Sequence, residues 1–248
     1  MFDAKEVKQQ LVEWIAGFFK NNGSPMTKAV IGISGGKDSS TVAALCVAAL
    51  GKERVLGVLM PQGKQHDIDV SYQLCKTLGI SYIEINIEDP VLALYHGITT
   101  AGLELNDIAT FNTPARIRMA ILYAVSGIVG GRVSNNCNLS EDYVGYSTKF
   151  GDSAGDFSPL ADLTVSEIKA IGYELGLASV FIDKTPIDGL CGLTDEDNLG
   201  FTYAVLDRYI RDGVCDDEAI KENIDRRYKM NLHKMTPMPT FRLNSASK

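Results

Sequence analysis

The chain is poor in the residues that usually hold transition metals. Its three histidines, His66, His96 and His233, lie far apart and share no metal-ligand spacing. The five cysteines, Cys46, Cys75, Cys137, Cys191 and Cys215, are odd in number and form no C-x-x-C pair. That excludes a zinc ribbon or a disulfide framework and implies reduced thiols in the cytoplasm. A basic excess is also missing: 24 Lys and Arg stand against 31 Asp and Glu, for a net charge of −7. Nucleic-acid partners usually leave a basic footprint, so none is expected. No apolar run approaches the roughly 20 residues that span a bilayer, and no signal region opens the chain, so no membrane partner is expected. Repeats and low-complexity tracts are absent. What is present is ordinary globular composition, 45% hydrophobic and 22% charged over 248 residues, enough for one large domain.

The most informative stretch is Ile31-Gly-Ile-Ser-Gly-Gly-Lys-Asp-Ser-Ser40. A β-branched apolar run precedes it and a small, apolar run follows, which reads as strand, tight loop and a helix beginning near Ser39. The glycines let the backbone turn and leave its N–H groups uncovered, and the helix dipole points into the same loop. Such a loop cradles a phosphate. It is not a Walker loop, because only three residues separate Gly32 from Gly36 and Asp38 follows Lys37. It is not a dinucleotide fingerprint either. Ser-Gly-Gly-x-Asp-Ser resembles the pyrophosphatase loop of the N-type ATP pyrophosphatases, which cleave ATP between its α and β phosphates. A carboxylate at Asp38 suits that chemistry, since it can hold Mg²⁺ against the phosphates.

Around this loop the pattern reads as an amphipathic helix over 3–20, then strand, helix, strand (54–60), helix, strand (81–87). The alternation predicts an α/β fold with a parallel sheet and ligands at its carboxyl edge. The aromatic stripe of the first helix is either core or a subunit interface. Residues 88–110 look helical, and Thr113-Pro114 reads as the N-cap and first position of a helix. Arg116 and Arg118 would then occupy a first turn, where cations are unfavourable, so an ion pair or a bound anion should compensate. A short strand, 132–135, is followed by Ser140 as a possible N-cap, with Glu141 either complementing that helix end or acting as a second metal ligand. The Gly- and Asp-rich stretch 144–160 and the connection 183–194 are long loops, which are usually functional. A capping box at Thr164–Glu167 opens a helix, Thr194 reads as another N-cap, helices follow near 202–211 and 216–230, and 231–248 reads as an irregular tail.

Taken together, these motifs make the sequence resemble the ammonia-dependent NAD synthetases over nearly its whole length. The resemblance is carried by Ser34–Ser39, Pro61-x-Gly63-x-Gln65-x-Asp67, Ala115-Arg-Ile-Arg-Met119, Asn138-Leu-Ser-Glu141, Gly145-x-x-Thr148-Lys149-x-Gly151-Asp152, Thr194-Asp-Glu-Asp197, Gly200-Phe-Thr-Tyr203 and His233-Lys234. It implies a Rossmann-like fold of the adenine nucleotide alpha hydrolase type, in one domain over 1–248, working as a homodimer, for which the aromatic stripe makes the first helix the candidate interface. It implies ATP-dependent amidation of deamido-NAD through an adenylate, with release of pyrophosphate and AMP. The chain leaves no room for an amidase domain, so free ammonia is the expected nitrogen donor.

Site roles carry over by position. Gly32, Ile33, Ser34, Gly35, Gly36, Lys37, Asp38 and Ser39 would bind ATP, with Asn136 and Thr194. Asp38 and Glu141 would hold Mg²⁺. Arg116, Lys149, Asp156, His233 and Lys234 would bind deamido-NAD. Lys37, Asp38 and Asp152 are the catalytic candidates, Asp152 as the group that orients ammonia. The chain departs from the family on the ATP side. Asn135-Asn136 stand where many relatives have Gly-Thr, Val165 where many have Lys, and Leu59-Met60-Pro61 lack the arginine that often precedes Leu-Pro. Two other readings remain open. One is another ATP pyrophosphatase that adenylates or amidates a different acceptor. The other is a non-catalytic nucleotide-binding paralogue.

Overall fold

The computed structural model describes residues 2–184 and 194–242. Four parallel strands form its sheet: β1 (Ala29–Gly32), β2 (Val55–Leu59), β3 (Ser81–Glu84) and β4 (Arg132–Val133), in the order β3-β2-β1-β4. The helices are α1 (Ala4–Asn21), α2 (Lys37–Leu50), α3 (Ile68–Leu78), α4 (Glu88–Thr100), α5 (Asp107–Val129), α6 (Leu139–Tyr143), α7 (Val165–Glu174), α8 (Ser179–Ile182), α9 (Asp195–Leu199), α10 (Tyr203–Asp212) and α11 (Glu218–Met235). This is the expected α/β fold with a parallel sheet.

Strand alternation divides the core. Ala29, Ile31, Ile33, Val55 and Leu59 face one cluster with α1, α2 and α7. Val30, Leu56, Val58 and Met60 face the other, with α4 and α5. A period of two in a strand buried on both sides produces this division. The first cluster is closed by three rings, with Phe157 stacked on Phe18 at 5.2 Å and edge-on to Phe19 at 5.3 Å. Such pairs add roughly 0.5–1.5 kcal/mol each beyond burial. The first helix therefore turns Ile15 and Phe19 into the core, while Trp14 stays exposed. A third, smaller cluster joins Val144 and Val165 to α9, α10 and α11.

The chain leaves β1 into α2 on the first face and returns to β4 from α5 on the second. The crevice at the carboxyl ends of β1 and β4 is thus the topological switch point, where open α/β sheets bind ligands.

Four sequence expectations change here. Thr113-Pro114 does not open a helix: α5 starts at Asp107, capped by the Asn106 side chain, and carries Pro114 in its interior. Proline removes the N–H that would bond the carbonyl four residues back. That carbonyl, on Thr110, accepts from the Tyr95 hydroxyl at 3.0 Å instead, so the helix continues. Arg116 and Arg118 accordingly sit in mid-helix. Ser140 is not the cap of α6: Asn138 is, accepting from the Glu141 N–H, and Ser140 turns inward. Finally, α2 begins at Lys37, and residues 231–235 belong to α11, not to the tail.

Candidate functional site

The loop from Ile33 to Gly36 joins β1 to α2 at the sheet's carboxyl edge. Gly35 has φ +75, and a Cβ there would press on the Ser71 N–H at 3.1 Å, so both the turn and its neighbour require glycine. Gly36 is the N-cap of α2 and brings no capping side chain. The first-turn N–H groups of α2 are therefore left for an anion. Ser34 and Ser39 brace the loop, with their hydroxyls 3.0 Å apart.

Beyond this loop lies the most charged cluster in the interior. Lys37, 4% exposed, donates to Asp38 Oδ2 at 2.8 Å and to Glu141 Oε1 at 3.2 Å. Its ammonium lies 5.7 Å from the centre of the Tyr203 ring. Burial alone would pull the Lys37 ammonium down, but Asp38 and Glu141 outweigh it and hold it above its ordinary value. Burial pushes the Glu141 carboxyl up, and Lys37 offsets only part of that rise. Two carboxylates that already share one cation, with oxygen donors only, match what Mg²⁺ takes: one or two carboxylates completed by substrate phosphates and water. Among the described residues no three His, Cys, Asp or Glu side chains gather to hold a metal by themselves. The residues present thus fit a Mg²⁺ that is completed by a nucleotide.

Two residues of this cluster have a role that the sequence does not show. Asn138 donates from Nδ2 to Asp38 Oδ1 at 3.1 Å and caps α6 with its own Oδ1, so one amide fixes both acids. Its signal was the Asn-x-x-Glu spacing, which reads as a cap. Tyr203 lies under Lys37 and donates to Asp195 Oδ2 at 3.2 Å. It belongs to the Gly200-Phe-Thr-Tyr203 stretch, but nothing in a sequence tells that its ring meets Lys37.

The dinucleotide candidates form an outer group. Arg116 Nε donates to the Lys149 carbonyl at 3.3 Å, and Lys149 Nζ donates to the His233 carbonyl. Lys234 Nζ holds the Gly145 and Ser147 carbonyls at 2.7 and 3.1 Å. Four candidates from three distant stretches therefore meet where α11 ends against the 145–152 loop. Asp156 stands apart, accepting from the Val133 N–H at 2.7 Å and from the Tyr123 hydroxyl at 3.4 Å. Between the two groups lies Cys137. Burial pushes its thiol up, and the charges of Asp152, Asp142, Glu141 and Asp38 push it further, with Asp152 in direct contact through its carbonyl at 3.2 Å. Asp152 accepts from the Thr148 N–H at 2.8 Å, and burial raises its carboxyl. Phe150, in the same turn, is the one non-glycine residue with positive φ among the described residues, at 61°. Strain of that kind clusters at functional loops.

The remaining candidates serve local structure in this conformation. Asn136 donates to the Gly32 carbonyl at 3.0 Å and accepts from Ser134, which ties the ends of β1 and β4 together. Thr194 caps α9 in a reciprocal box with Asp197. Val165 is buried in the third cluster, and its N–H bonds Ser140 Oγ at 3.1 Å. Residues 185–193, most of the expected 183–194 cover and including Cys191, lie outside the described residues.

Comparison with known proteins gives a consistent family. The NAD synthase family model matches residues 7–246. An NH3-dependent NAD+ synthetase of Thermococcus sibiricus is 39% identical over 234 residues, covering 94% of this chain and 90% of that protein. Among solved structures, NMN synthetase from Francisella tularensis superposes with a TM-score of 0.89 at 32% identity, covering 98% of this chain and all of that one. The NH3-dependent NAD synthetase of Campylobacter jejuni superposes with a TM-score of 0.78 at 29% identity, with 98% of this chain covered.

Proposed function

Because the chain belongs to the NAD synthase family, we propose that it is an ATP-dependent ligase that amidates the nicotinate carboxyl of deamido-NAD with ammonia. The observation that carries this reading is Lys37 held between Asp38 and Glu141 beside an uncapped helix start. In the first step a carboxylate oxygen attacks the α-phosphorus of ATP, and the bond to the β-phosphate bridging oxygen breaks to release pyrophosphate. Ammonia then attacks the adenylated carbonyl carbon. The bond from that carbon to the AMP oxygen breaks, one proton leaves the nitrogen, and NAD+ and AMP result.

In this account the loop 32–39 binds the triphosphate through its N–H groups, and Lys37 stabilises charge developing on pyrophosphate. Asp38 and Glu141 would hold Mg²⁺, which supplies positive charge against the phosphates when bound. Arg116, Lys149, His233 and Lys234 bind the anionic acceptor, Asp156 contacts it, and Asp152 orients ammonia. The motif match over 7–246 supports one domain. A homodimer is supported by apolar side chains left open on and beside α5, where Leu103, Ile108, Phe111 and Ile128 are all at least half exposed. The free thiols Cys46, Cys75, Cys137 and Cys215 suit a cytoplasmic setting. Among the described residues no helix is long and apolar enough to cross a membrane.

One observation favours a second acceptor. The higher TM-score belongs to a protein named for making NMN, and the same chemistry on nicotinate mononucleotide would give that product. Turnover with deamido-NAD and with nicotinate mononucleotide, each with ATP, Mg²⁺ and ammonium, separates the two. We expect kcat/KM to favour deamido-NAD by at least about tenfold, equivalent to about 1.4 kcal/mol in the transition state. A reversed preference establishes the second reading. AMP release with neither acceptor amidated points to a different adenylated substrate. ATP binding with no AMP at all points to a non-catalytic paralogue.

A further inference from the structure

Among the cations of this crevice, one is half-buried and holds an incomplete set of partners. Arg118 lies on α5, on the second face of the sheet, and its Nε donates to the Met60 carbonyl just past the end of β2, at 3.1 Å. It makes no other hydrogen bond and no ion pair among the described residues. Asp152 is near enough to act on its charge, yet burial still pulls the guanidinium down. The other inner cation is fully engaged, since Lys37 holds two carboxylates. Lys149 and Lys234 have their ammonium groups on backbone carbonyls. Arg116 also has free terminal nitrogens, but it is exposed and belongs to the outer group.

Position then narrows what Arg118 can meet. The Ile33 N–H bonds the Val58 carbonyl, so Met60 lies beside the start of the phosphate loop. The ATP phosphates have their own donors there, on the α2 side of the sheet. Arg118 approaches the same edge from the α5 side, next to Asp152. A half-buried guanidinium with an open fork fits a planar, bidentate anion. We propose that Arg118 binds the carboxylate of the acceptor and holds it toward the α-phosphorus of ATP, against the repulsion between the two anions. This rests on the amidation reading above and assigns to it a residue outside the motif positions already given roles.

The test is equilibrium binding of deamido-NAD and of NAD+ to the full-length protein without ATP, for the wild type and Arg118→Met. NAD+ keeps the diphosphate and both riboses but lacks the carboxylate. We expect Arg118→Met to weaken deamido-NAD roughly ten- to hundredfold, as for loss of charge-assisted hydrogen bonds, and to change NAD+ less than about twofold. Arg118→Lys keeps the charge but loses the fork, and is expected to fall between. It also serves if the Met variant does not fold. The thermal shift given by ATP with Mg²⁺ should remain in both variants. Equal weakening of both dinucleotides would mean a phosphate contact and overturn the assignment. So would unchanged binding of deamido-NAD, or loss of the ATP shift alone. If nicotinate mononucleotide is the true acceptor, it and NMN replace the pair in the same comparison. If the wild type amidates neither acceptor, the functional reading itself has failed, and that result is visible before any variant is made.

Discussion

Glu141→Gln and Asp38→Asn each lower kcat with saturating ATP and acceptor by about a hundred- to ten-thousandfold. That range corresponds to the several kcal/mol of transition-state charge stabilisation that a bound metal ion supplies. The reason lies in the shared cation. Lys37 bridges the two acids at 2.8 and 3.2 Å, so they already converge on one point of positive charge. Neutralising either acid leaves Lys37 balanced by the other alone and takes away an anionic oxygen ligand that Mg²⁺ would need beside the phosphates. The loss should be accompanied by a higher Mg²⁺ requirement, read as the concentration for half-maximal rate. Asp152→Asn should behave differently, because its carboxylate braces the 148–152 turn and is assigned to ammonia. Its KM for ammonium rises while its Mg²⁺ requirement stays put. Glu141→Gln with normal turnover, or Asp152→Asn with normal ammonium kinetics, would remove the corresponding role.

Asp207→Ala destabilises the fold by about 2 kcal/mol. Asp207 is buried, and its carboxylate accepts from Ser140 Oγ at 2.6 Å, Ser166 Oγ at 2.5 Å and the Ser166 N–H at 2.8 Å. It thereby joins α6, α7 and α10. Without it the buried Ser140 hydroxyl loses its acceptor, at roughly 1–3 kcal/mol if left unsatisfied, and the exposed Ser166 gives up two further bonds that water can replace. The Ser140 hydroxyl can rotate toward another partner and the desolvation cost of the carboxylate is relieved, so the loss stays near the middle of that range. Urea unfolding should show a lower midpoint with an unchanged slope. Because Ser140 precedes Glu141, the folded fraction should also need more Mg²⁺. A stability change below about 1 kcal/mol would mean that these hydrogen bonds are replaced without loss.

The phosphate loop was legible because its cause is local: the glycines, the acid and the flanking apolar runs all lie within a few residues. The parallel sheet followed from strand and helix alternation for the same reason. The errors came where a local signal met a distant partner. Thr113-Pro114 carries a correct helix-start signal. It was overruled by Asn106, which caps the helix earlier, and by Tyr95, which satisfies the carbonyl that proline leaves open. Ser140 reads as a cap, yet Asp207, 67 residues away, claims its hydroxyl. Arg118 and Arg116 look equivalent in the sequence, two residues apart. Packing separates them: one reaches the sheet edge at Met60 and the other the outer loop at Lys149. The meeting of Lys37 with Glu141 spans 104 residues, and the sequence offers Glu141 only as either a helix-end acid or a second metal ligand at the next strand's edge. No pairing rule within the sequence would have found it.

The central claim is that the acceptor carboxylate attacks the α-phosphorus of ATP and leaves one of its oxygens on AMP. The most direct measurement is turnover of deamido-NAD labelled with ¹⁸O in both carboxylate oxygens, with ATP, Mg²⁺ and ammonium, followed by mass analysis of the products. The account predicts one ¹⁸O in AMP for each amide formed, none in pyrophosphate, and one retained in the amide carbonyl. Unlabelled AMP formed alongside the amide, or label in a phosphate released with ADP, would contradict it.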